Sequence, residues 1–127
     1  MAPVIYLDTH VAAWLFAGEV ALLSRPARAA LEAHALLVSP AVTLELEYLF
    51  EARRTTAPAS TVLAYLQDRV GLAVCQAPFP DVAQAAAAQS WTRDPFDRLI
   101  VGHAVLKAAR LLTKDRLIRR AYHAAFW

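Results

Sequence analysis

WTRDPFDR, residues 91–98, places two carboxylates, Asp94 and Asp97, three positions apart across a proline. An apolar run follows, with Leu99, Ile100, Val101, Ala104, Val105 and Ala108 at helical spacing. Asp at the N-cap, Pro at the first helical position and a second acid at the third form a helix start close to a capping box. The stretch therefore predicts a helix from Pro95 to about Ala109. Acids also stand at other element ends: Asp8 closes the apolar run PVIYL (3–7), and Asp115 follows Arg110 to Thr113.

Outward from this helix, short β-branched or aliphatic runs alternate with helical patterns. Pro3 to Leu7 predicts a strand. Asp8 and Thr9 cap a helix from His10 to Ala17, broken by Gly18, and Ser24 starts another that runs to Ala33. Leu36 to Val38 predicts a second strand, and Pro40 to about Arg54 a helix. TTAPAS (55–60) is a loop, with a helix over Ala59 to Arg69. Gly71 to Cys75 predicts a third strand. Pro78 and Pro80 bracket a turn before the alanine-rich helix Asp81 to Gln89, where the alanines signal helix propensity. After the helix from Pro95 come a strand, Arg110 to Thr113, and a last helix, Asp115 to about Ala124. Strands alternating with helices imply a parallel sheet covered on both faces. In such sheets the ligand site lies beyond the carboxyl ends of the strands, where Asp8 and Asp115 fall.

The chain has 127 residues, 58% of them hydrophobic, enough for one core without staples. Its lone cysteine, Cys75, forms no internal bridge. MAPVIYLDTH is not a basic leader with an apolar core, and no apolar run approaches the roughly 18 residues of a membrane span. The expectation is a cytoplasmic protein without a membrane partner. The formal charge of +2 is unevenly spread: residues 93–127 hold eight basic side chains against three acids. Carboxylates ringed by cations suit a polyanion that must approach a metal.

Glu45 and Asp97 sharpen that reading. On a helical wheel Glu45 groups with Ala41, Val42, Tyr48 and Leu49, opposite Glu47, Glu51 and Arg54; Asp97 groups with Ile100, Val101, Ala104 and Ala108. A buried carboxylate costs several kcal/mol unless it is paired, protonated or bound to a cation. Pairing with Arg98 or Arg53 answers for one acid alone, whereas a divalent cation satisfies several at once. Oxygen ligands select Mg²⁺ or Mn²⁺. None of His10, His34, His103 and His123 stands in a zinc motif, and each reads as a surface or packing residue. Acids holding such a cation near basic side chains imply cleavage of a phosphodiester.

LDTHVAAWLF (7–16), SPAVTLELEYL (39–49), DPFDRLIVGHA (94–104) and LLTKD (111–115) together resemble the PIN-domain ribonucleases, specifically the VapC toxins of type II toxin–antitoxin modules. The resemblance spans nearly the whole chain and implies a single PIN domain over 1–127, a three-layer α/β/α sandwich with a central parallel sheet of four to five strands. It further implies Mg²⁺-dependent endonucleolytic cleavage of RNA, with Mn²⁺ a possible substitute. By likeness, Asp8, Glu45, Asp97 and Asp115 are the catalytic and metal-binding acids, and Asp94 is an additional metal-binding acid beside Asp97. Thr9 and Thr113 resemble supporting hydroxyls, and Arg98, Lys114 and Arg116 guide RNA. His103 stands where many relatives carry glutamine. HAAFW follows the last helix closely, so the closing edge strand is expected to be short or missing. The implied partners are a VapB-type antitoxin and a second copy in a homodimer, with Leu99, Leu106 and Trp14 as apolar candidates for those contacts. Trp91 and Trp127 are candidates for stacking on bases or for partial burial.

Two alternatives differ in residues. A response-regulator receiver needs its phosphoacceptor Asp at the end of a central strand, but the second and third strands end in Ser39–Pro40 and Cys75–Gln76. A catalytically silent PIN-like module that binds RNA or protein would have no need of the full acid set.

Overall fold

The computed structural model describes residues 3–127. Five strands, β1 (Val4–Leu7), β2 (Ala35–Val38), β3 (Ala73–Val74), β4 (Arg110–Leu112) and β5 (Ala125–Phe126), form one sheet in the order β3-β2-β1-β4-β5. Every pairing is parallel. The seven α-helices are α1 (Thr9–Ala17), α2 (Arg25–Ala33), α3 (Pro40–Glu51), α4 (Ala59–Val70), α5 (Phe79–Ala87), α6 (Pro95–Leu106) and α7 (Arg116–Ala121), and a 3₁₀ turn spans Val20–Leu22. The expected α/β architecture is present, and β5 is the short closing strand, only two residues long.

The chain winds from β1 outward to β3, then returns to place β4 on the other side of β1. Strand order thus reverses between β1 and β4, and the crevice beyond their carboxyl ends is where this topology places ligands. Backbone pairing carries straight into that crevice: Asp8 N–H donates to the carbonyl of Leu112 at 3.0 Å. Ile5, Leu7, Val38, Leu111 and Leu112 are fully buried, as the apolar runs of a sheet covered on both faces require.

Several helices differ in extent from the sequence reading. α3 and α6 stop short of Arg54 and Ala109, because the chain turns left-handed at Arg53 (φ 60°) and Ala108 (φ 49°). In each case the next N–H bonds a carbonyl five residues back, Arg54 to Leu49 at 2.8 Å and Ala109 to Ala104 at 2.9 Å. These are Schellman closures without glycine, so the sequence carried no stop signal. α7 is also shorter, ending at Ala121 because Tyr122 is extended and leads into β5.

α5 and α6 form a close helix pair. A Cβ built on Gly102 would lie 2.9 Å from the backbone nitrogen of Ala86. The alanine run of α5, read as propensity alone, also supplies the small side chains that let α6 approach.

Candidate active site

Five acids come to the crevice from four helices or their caps: Asp8 from α1, Glu45 from α3, Asp94 and Asp97 from α6, and Asp115 from α7. Asp8, Glu45, Asp94, Asp97 and Asp115 line one cavity of about 300 Å³, together with Thr9, His10 and Leu49. Three of them are also N-caps: Asp8 accepts from Thr9 N–H at 2.8 Å, Asp94 from Phe96 and Asp97 N–H at 2.8 and 3.1 Å, and Asp115 from Ile118 N–H at 3.0 Å. The capping and cavity-lining readings of Asp94 therefore both hold, with one oxygen spent on the helix.

Hydroxyls brace the acids. Thr113, fully buried, donates to Asp8 Oδ2 at 2.6 Å, and its oxygen accepts from Asp115 N–H at 3.0 Å. One side chain at the end of β4 thereby ties the first acid to the last. Thr9 donates to Glu45 Oε1 across to α3.

Glu45 is half-buried rather than centred on the buried stripe, which runs through Val42 and Leu46; its wheel neighbour Tyr48 is exposed. Glu47, assigned to the solvent side, accepts from Ala59 N–H at 3.0 Å and caps α4, whose own N-cap is Pro58.

No arginine or lysine neutralises Glu45, Asp94, Asp97 or Asp115 among the described residues. Burial, then the charges of Asp94, Asp8, Asp115 and Glu45, push Asp97 up to about 7. Burial likewise raises Glu45, with the Thr9 hydroxyl opposing and Asp8 and Asp94 adding to the rise. Burial and the neighbouring carboxylates raise both groups, and no lysine or arginine ion pair among the described residues opposes the rise.

Arg98, expected to guide RNA, turns to α5 instead: Nε donates to the Ala86 carbonyl at 3.1 Å and Nη2 to that of Ala87 at 3.0 Å. It satisfies the orphan carbonyls at a helix end. Lys114 and Arg116 are exposed beside Asp115, and Lys114 Nζ lies 5.8 Å from the Trp14 ring centroid.

His10, read from sequence as a surface or packing residue, belongs to the cavity wall. Its Nε2 accepts from Lys114 N–H at 3.0 Å, leaving Nδ1 to carry the proton 3.5 Å from Asp8 Oδ2. Burial lowers its pKa despite Asp8 and Asp115, in keeping with a neutral ring. The DTH triplet was the available signal, but the deciding contact comes from a residue 104 positions away.

The donor set is oxygen-rich and anionic, which suits a hard dication such as Mg²⁺ or Mn²⁺. Among the described residues no three acid, histidine or cysteine side chains are placed so that together they could hold a metal ion. An open ring of acids fits a cation that keeps several waters and is held by one or two carboxylates at a time.

An acid-walled crevice at the switch point of a parallel α/β sheet defines a class of site suited to metal-assisted chemistry. The PIN domain profile matches residues 5–124, and the chain is 38% identical over 122 residues to Ribonuclease VapC22 of Mycobacterium tuberculosis, covering 94% of this chain and 92% of that protein. The chain belongs to the PIN-domain family, in its VapC-like branch. Solved structures agree on the fold. A toxin–antitoxin complex from Klebsiella pneumoniae aligns with TM-score 0.68 at 19% identity, over 97% of this chain and 96% of the other. VapBC2 from Rickettsia felis, bound to a DNA fragment from their promoter, aligns with TM-score 0.61 at 15% identity, over 96% of each chain.

Proposed function

We propose that this chain is a Mg²⁺-dependent endoribonuclease and the toxin of a VapBC-type toxin–antitoxin module, acting in the cytoplasm with a VapB-type antitoxin as partner. The observation that supports it is the convergence of five carboxylates on one cavity without an arginine or lysine counter-charge. The Mycobacterium tuberculosis relative is a ribonuclease by name, which supports the substrate class. No helix among the described residues is long and apolar enough to cross a membrane. Exposed apolar side chains such as Tyr48 and Leu106 offer contacts for the antitoxin and for a second copy in a homodimer.

In this reading Asp8, Glu45, Asp97 and Asp115 hold the cation, with the free oxygen of Asp94 beside them. A bound Mg²⁺ or Mn²⁺ supplies an activated water and a Lewis acid for the scissile phosphate. Thr113 and Thr9 orient the Asp8 and Glu45 carboxylates from behind, as partners of metal-binding acids do. Asp97 would hold such a cation in its deprotonated form. Lys114 and Arg116 draw the RNA backbone toward the acids.

The test incubates the purified chain with total RNA in Mg²⁺ or in EDTA, alongside Asp97→Asn. Cleavage in Mg²⁺ alone, lost in the variant, is the expected result. Cleavage that survives both chelation and the substitution defeats the metal mechanism, and absence of cleavage throughout favours the silent binding module.

A further inference from the structure

A second cavity, of about 470 Å³, adjoins the acid cavity, with His10 and Leu49 walling both. Trp14, Phe16, Leu22 and Val62 line it, and so do the exposed side chains of Arg54 and Glu19. Trp14 is half-buried and held in place: the His10 ring lies 4.9 Å away centroid to centroid, and Trp127 meets it edge-on at 6.0 Å. Arg54 is exposed and has no ion-pair partner among the described residues. It is presented by the left-handed turn at Arg53, a conformation costly for a residue with a side chain.

From these placements the geometry points to a nucleobase subsite: one unstacked base of single-stranded RNA, beside the phosphate held at the acids, stacks on Trp14 while Arg54 donates to acceptors on its edge. Sequence-specific RNA recognition targets splayed bases stacked on aromatic or guanidinium planes, and this cavity offers both next to the candidate reaction centre. Fixed aromatic area costs little entropy on binding, and the Trp127 and His10 contacts supply that fixity.

The subsite rests on the ribonuclease reading for its adjacency to a scissile phosphate, and the test separates the two. Binding is measured by fluorescence anisotropy in the Asp97→Asn chain, with a mixed-sequence hexaribonucleotide and with six versions, each abasic at one position. One abasic position is expected to weaken binding by roughly ten-fold or more. That penalty should vanish when Trp14→Ala is added, and shrink with Arg54→Ala, whose exposed position leaves the core undisturbed. Equal binding of all seven oligomers, no binding at all, or an abasic penalty undiminished in both variants overturns the subsite and leaves the cavity to a protein segment. If the coupling is found but the unaltered chain does not cleave total RNA, the ribonuclease reading falls and the base pocket stands.

Discussion

Asp97 carries a pH consequence that can be signed. Its pKa rises from 3.8 to about 7 on folding, so between those values the folded chain holds a proton that the unfolded chain has released. Stability must then fall as pH rises from about 4 to 7. Glu45, also raised, acts in the same direction, whereas His10, lowered by burial, opposes it near neutrality. In EDTA the melting temperature should drop across this window, and Asp97→Asn should flatten the slope. Mg²⁺ added at pH 8 should raise the melting temperature of the unaltered chain more than that of the variant. A slope identical in both proteins would show that Asp97 is not under this strain. The acids themselves were legible because strand ends and helical spacing single them out one at a time. His10 was not, since its role depends on which ring nitrogen meets the Lys114 amide, a contact no local pattern encodes. The bonds of Arg98 to α5 were hidden for a related reason: a basic residue after the acids looks like a phosphate ligand, while the open carbonyls of α5 lie outside its local sequence.

At the level of elements, the tightest constraint is the crossing of α5 and α6. Gly102→Ala would drive a methyl against the Ala86 backbone, which cannot rotate away, and should cost about 1–3 kcal/mol in urea denaturation. Ala108→Gly should do the reverse. Its left-handed conformation costs an L-residue about 1–2 kcal/mol, and glycine gives back part of that gain through chain entropy, leaving about 0.5–1 kcal/mol of stabilisation. Most element positions were readable from caps: Ser24 and Ser39 each accept a helix-start N–H, as Asp8, Asp94 and Asp115 do. The ends were harder, because left-handed closures at Arg53 and Ala108 use residues that announce no turn. Glu47 shows a similar limit, since its service to α4 depends on the path of the loop between two helices.

For the whole molecule, the parallel α/β class followed from alternation of strands and helices, but the order β3-β2-β1-β4-β5 had no signature in any one segment. That order is what puts Thr113 beside Asp8 and turns scattered acids into a cavity. The toxin reading is tested at this scale by expression in a bacterial host without an antitoxin: growth should halt with the unaltered chain and continue with Asp8→Ala at equal protein level. Equal growth of the two would remove the toxin role even if nuclease activity persisted in vitro. The bond between Thr113 and Asp8 joins positions 105 apart in the chain. During synthesis, then, a polypeptide halted anywhere before β4 lacks both that brace and Asp115. The acid pocket is therefore among the last parts of the molecule that can form.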